Sequence, residues 1–283
     1  MILLIVSILL FAINNVLWKK NLQEIPVSVL MAYRSFFTST IAIIFVFLQF
    51  ELTYLMKLPF YKISLGSMFG VAGLFCMLVY LKKAPLQWLG IYNLLGIILT
   101  TIYLYFFENI TMNYSLIGVI LIIFGFIFYL YQNKESKESI HYKQHISLFL
   151  MTAFFGVSSI LHWKNLGTDV PAILIICNQE IFVFLSATIG SFILYKPTDL
   201  ELIVKNDFFK VFFMAVIIFF ALLSSMLGLK LTNPILSSLL FLATPLLTIL
   251  FGSLFFKEKI TNSNVLAILI IAIGAFLLHY FSS

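Results

Sequence analysis

Ten long apolar runs, separated by short polar or charged interruptions, leave this chain few ways to fold. The runs lie near residues 2–18, 27–48, 63–81, 87–107, 114–131, 146–162, 171–195, 211–229, 234–256 and 264–280. Most approach the roughly 20 residues that a helix needs to cross about 30 Å of hydrocarbon. A helix also satisfies its own backbone hydrogen bonds, which lipid cannot do, and the alternation of a membrane barrel strand is absent. With 62% of its 283 residues apolar and 10% charged, the chain has more apolar surface than a water-soluble globule could bury. The sequence therefore reads as an all-α integral membrane protein without room for a sizeable soluble domain.

The polar segment QNKESKESIHYKQH at 132–145 falls near the midpoint. It divides the chain into a first five-helix repeat (1–131), a linker (132–145) and a second repeat (146–283). Internal similarity supports the division. "KKNL" at 19–22, before Pro26, resembles "WKNL" at 163–166, before Pro171, and "FFENIT" at 106–111 resembles "FFKEKIT" at 255–261. An odd number of spans per repeat inserts the second copy upside down, so the expected architecture is two inverted five-helix repeats around a central cavity, a pattern typical of transporters. Glycines in several spans suit close helix packing, and Pro245 predicts a kink in span nine.

The net charge of +6 comes from lysines grouped between apolar runs, which form no continuous basic face for nucleic acid. Cys76 and Cys177 both lie inside apolar runs and indicate neither a disulfide framework nor a thiolate metal site. The run at the start has no basic n-region or cleavage site and reads as span one. Nucleotide-binding, zinc-hydrolase and Asp-rich motifs are absent, His141 and His145 lack a third ligand partner, and no cofactor is expected.

Charges inside spans are expensive and carry the functional reading. Arg34 lies eight residues after Pro26 and Glu180 nine after Pro171, hence about 12 and 13 Å into helices that enter from opposite faces. Both reach the midplane. They are expected to meet either as a structural pair or as a substrate or coupling-ion site; a lone Glu180 in a dry cavity would suit proton coupling. At the ends of spans one and six, Asn14 and Trp18 are matched in the repeat by Ser158 and His162, and Asn15 by Ser159. These side chains suit a pocket for a mostly apolar ligand, or, for Trp18 and Trp163, an interfacial aromatic belt. Tyr92, Asn93, Asn178, Gln179, Ser237 and Ser238 are further candidates for substrate contact, and Glu108 and Glu258, at helix ends, are candidate gate contacts.

In motif order the chain resembles the EamA family of the drug/metabolite transporter superfamily along nearly its whole length. "FAINNVLWKK" (11–20), Pro26 and "MAYRSFF" (31–37) look like the family's opening, and "NPILSSLLFLATPLLTILFGSLFFKEKIT" (233–261) like its closing pattern. The family's glycine-glutamate-arginine-leucine stretch keeps only the glutamate here, as Glu108 and Glu258. The resemblance implies ten helices around a central cavity and a metabolite or drug-like substrate, commonly exported. It also implies cytoplasmic termini. The lysines disagree: twelve lie in loops after odd-numbered spans and four after even-numbered ones, which places the termini outside.

The expected function is secondary transport of a small metabolite (an amino acid or similar, or an amphipathic drug) across the cytoplasmic (inner) membrane by alternating access. Export is favoured, and proton coupling stays open. Its partners are a small-molecule substrate and membrane lipid, with the chain a monomer or homodimer. The alternatives are a lipid-modifying membrane enzyme, which needs an interfacial cluster of acids or histidines that the sequence lacks, and a scaffold in which Arg34 and Glu180 are purely structural.

Overall fold

Lys19, Lys20 and Asn21 close the first apolar run with groups that prefer water, and Pro26, which has no N–H to continue a turn, opens the second. The structure, a computed structural model, follows these signals. Helix α1 (Ile2–Asn21) ends there, and Pro26, at φ −60° and ψ 146°, is the N-cap of α2 (Val27–Gln49). It describes residues 2–50, 60–82, 84–107, 115–133, 141–168, 170–194, 197–231 and 243–282. The chain continues through α3 (Phe60–Leu81), α4 (Leu86–Phe107), α5 (Ser115–Asn133), α6 (Tyr142–Gly167), α7 (Ala172–Leu194), α8 (Pro197–Leu231), α9 (Ala243–Phe256) and α10 (Asn262–Ser282). Among the described residues every regular element is a helix, ten in all.

Among the described residues, six segments are long and apolar enough to cross a membrane: α1, α2, α3, α6, α7 and Asp207–Leu231 within α8. Ile117–Gln132, Leu246–Phe256 and Asn262–Leu277 are shorter apolar helices.

Two helices run further than hydropathy suggests. His141 is the N-cap of α6: its carbonyl accepts the Gln144 N–H at 2.8 Å, and its own N–H donates to Gln144 Oε1 at 2.8 Å. This reciprocal cap starts the helix inside the segment read as a linker. Helix α8 covers 35 residues, beginning well before the apolar run at 211. Pro197 suits a first helical position, so a polar stretch extends an apolar helix. Helix α9 is described from Ala243, so the kink expected at Pro245 borders residues 232–242, outside the described residues.

The burial pattern departs from that of a soluble protein in its exposed apolar surface and its buried polar groups. Phe47, Leu48, Phe209, Ile193 and Leu254 are exposed, whereas Ser7, Arg34, Ser35, Thr38, Ser67 and Glu180 are buried. Lipid solvates the first set, and the second set must find partners within the helix bundle. Many hydroxyls bond back to their own helix: Thr38 Oγ1 donates to the Arg34 carbonyl at 2.9 Å, and Ser191 Oγ to that of Ala187 at 2.8 Å.

The strongest helix pairings all join the first five helices to the second five. They are α1 with α8, α2 with α7, α3 with α6, α4 with α9, and α5 with α10. Exchanging the two groups of five maps this set onto itself, and also maps α1–α9 onto α4–α6 and α2–α8 onto α3–α7. The bundle's interior is thus built between the halves. In the α5–α10 pair, a Cβ on Gly274 would stand 2.8 Å from the Gly118 carbonyl oxygen, a separation that only glycine permits.

Candidate functional site

The α2–α7 pair carries the two intramembrane charges. Counted from the starts of their helices, Arg34 and Glu180 lie about 11 and 12 Å in. They face each other: Arg34 Nη1 donates to Glu180 Oε2 at 2.6 Å, and both residues are 1% exposed. Each charge therefore has its counterion where water cannot supply one. Arg34 Nε has no hydrogen-bond partner among the described residues.

Trp18 on α1 lies over the same guanidinium, with Arg34 Cζ 5.3 Å from its ring centre, a cation–π distance. Trp18 is fully buried, so the aromatic-belt reading fails for it. Trp163 is only partly buried. One helical turn from Trp18 on the same face, Asn14 is buried with its Oδ1 unpartnered among the described residues, while Asn15 Nδ2 donates to Thr248 Oγ1 of α9 at 3.2 Å.

A second contact lies between α6 and α7, where His162 lies against Gln179. The two contacts differ in charge: one holds a cation beneath an indole, the other an amide beside an imidazole. His162, Ser158 and Gln179 press on the small-residue face of α3. Ser158 Oγ donates to the Gly66 carbonyl at 2.8 Å, and a Cβ on Gly66 would come 2.8 Å from His162 Cε1. Asn178 extends this polar seam, accepting from Ser67 Oγ at 2.6 Å and donating to Ser64 Oγ at 3.2 Å.

The structure thus gathers Trp18, Arg34 and Glu180, and it gathers Ser158, His162 and Gln179 along α3. Tyr92 is placed elsewhere, its hydroxyl 2.7 Å from His145 Nδ1 in the first turn of α6 and its carbonyl accepting Thr152 Oγ1 at 3.0 Å. Asn93 is partly buried. Ser237, Ser238 and Glu108 lie outside the described residues. Glu258 is buried and ion-paired with Lys19.

Sequence reasoning missed Ser64, Ser67 and Thr248, the hydroxyl partners of Asn178 and Asn15. Their one signal was a small polar residue inside an apolar run, shared with many hydroxyls that only bond their own helix. Chemically, the centre offers a charge pair, an indole face and amides. Among the described residues no three of His, Cys, Asp and Glu converge to hold a metal ion.

Comparison with known proteins gives a concordant picture. A solved crystal structure superposes with a TM-score of 0.71 at 15% sequence identity, covering 99% of this chain and 96% of its own, which shows a shared fold. No curated protein matches. The family model of EamA-like transporters matches residues 143–280. That segment is similar to the EamA-like transporter family, and the chain is a multi-pass membrane protein.

Proposed function

We propose that this protein is a secondary transporter that moves a small metabolite, an amino acid or similar solute or an amphipathic drug, out across the cytoplasmic membrane by alternating access. The buried Arg34–Glu180 pair carries the reading. It joins one helix of each half deep in apolar segments, where a scaffold with no solute to handle gains little from two charges that are costly to desolvate. The two-fold exchange in the helix pairings supports inverted repeats, and a site on the line between them can be exposed to either side by rocking one half against the other.

The charge pair also bears on the substrate. A net-neutral solute leaves the pair's balance intact, whereas a singly charged one adds an uncompensated charge. With Arg34 as its direct partner, Glu180 is not the lone carboxyl that the simplest proton-coupled scheme requires. Flux of a panel of labelled metabolites in proteoliposomes, with and without a pH gradient, tests this function. Saturable movement of a net-neutral solute supports it, and no movement of any panel member under any gradient rejects it.

A further inference from the structure

At the end of α9 the chain builds a joint distinct from the buried pair. Lys257 takes a left-handed φ of 57°, turning the chain back so that the Glu258 N–H donates to the Gly252 carbonyl at 3.3 Å. The turn carries the Glu258 carboxylate onto the start of α4. Its Oε1 accepts the Leu86 N–H at 2.6 Å and its Oε2 the Gln87 N–H at 2.9 Å. These are N–H groups that a helix leaves without internal partners, at its positive end. Lys19, from the last turn of α1, pairs with the same carboxylate, and its ammonium lies 4.6 Å from the Phe256 ring centre. Gly252 makes room, because a Cβ there would stand 2.6 Å from Glu258 Oε2.

One carboxylate from the second half of the chain therefore ties together two helices of the first half. The joint stands where α1 ends, and the residue beside Lys19 is Trp18, which covers Arg34. Helices α1, α4 and α9 also touch one another. Capping α4 needs only the carboxylate, so the cap leaves Lys19 unexplained. The lysine side chain is 12% exposed, so water reaches it and can take over both charges when the joint parts. At Arg34–Glu180, with side chains 2% exposed, water has no such access.

Building on the transport reading above, we propose that Lys19 and Glu258 form the latch of a gate: joined here, it closes the passage between α1, α4 and α9 at this end, and parting it opens that passage. The latch is tested with a single reporter thiol, Asn14→Cys, in a chain whose Cys76 and Cys177 are replaced by alanine. A membrane-impermeant maleimide is added from the face where α1 ends. Lys19→Met removes the ion pair but leaves Glu258 on the Leu86 and Gln87 N–H groups, so α4 stays capped and the fold is kept.

Lys19→Met and Glu258→Gln are each expected to raise the labelling rate about tenfold, the scale set by one charged hydrogen bond. A Lys19→Met rate within about twofold of the parent overturns the latch, and so does a rise with Glu258→Gln alone, which marks a helix cap. Labelling is read without flux, so the two ideas fail separately. With flux measured in the chain that keeps Asn14, raised labelling without any solute movement supports a gated passage and counts against transport, while flux with unchanged labelling overturns the latch alone.

Discussion

Arg34 and Glu180 are 146 residues apart in the chain and 2.6 Å apart in space, each the other's counterion. Removing one charge leaves the other buried without compensation. Glu180→Gln and Arg34→Met are each expected to destabilise the protein by about 3–5 kcal/mol. The double variant Arg34→Met/Glu180→Leu should recover most of that loss and still move no solute. Thermal unfolding in detergent, run as a double-mutant cycle, checks the coupling. Additive losses would show that the charges do not depend on each other.

Trp18 faces the guanidinium with its ring, so the ring's character should matter more than its bulk. Trp18→Phe is expected to keep transport within about threefold and Trp18→Leu to weaken it about tenfold, the range given by about 0.5–2 kcal/mol for a cation–π contact. Side-by-side flux at subsaturating substrate measures the ratio. Equal loss in both variants would assign Trp18 to packing.

Gly66 leaves space for His162. Adding a methyl group at 2.8 Å from the imidazole should force α3 and α6 apart, lowering stability by about 1–3 kcal/mol in Gly66→Ala. Replacing His162 with alanine in the same chain should restore much of it. The unfolding midpoint is the readout, and a single variant as stable as the parent would mean that the α3–α6 approach is looser than described.

Tyr92 commits its hydroxyl to His145 and its carbonyl to Thr152. Tyr92→Phe should therefore cost about 0.5–1.5 kcal/mol of stability, one hydrogen bond's worth, with flux unchanged. A large loss of flux at unchanged stability would return Tyr92 to the transport path.

How far the site was legible in the sequence depended on the residue. Arg34 and Glu180 could be found because charges are rare and costly in apolar runs, and Pro26 and Pro171 fixed their depth. Helix ends were harder. His141 and Pro197 start helices through local capping and backbone geometry, which hydropathy does not measure. Asn15, Ser158 and Asn178 were visible as polar residues, but their partners Thr248, Gly66 and Ser67 belong to other helices, and no local pattern names them.

By itself, the sequence determined that the chain is helical and lives in lipid, because no arrangement in water could hide ten apolar runs, and it determined that two charges would be held inside. Only the tertiary structure decided that Trp18 covers Arg34, that Tyr92 turns to His145, and that Glu258 crosses to the start of α4 to meet Lys19. The reason is physical. Solvation acts on each segment separately and can be read along the chain, whereas a buried polar group takes whichever partner the packing of distant helices brings within about 3 Å.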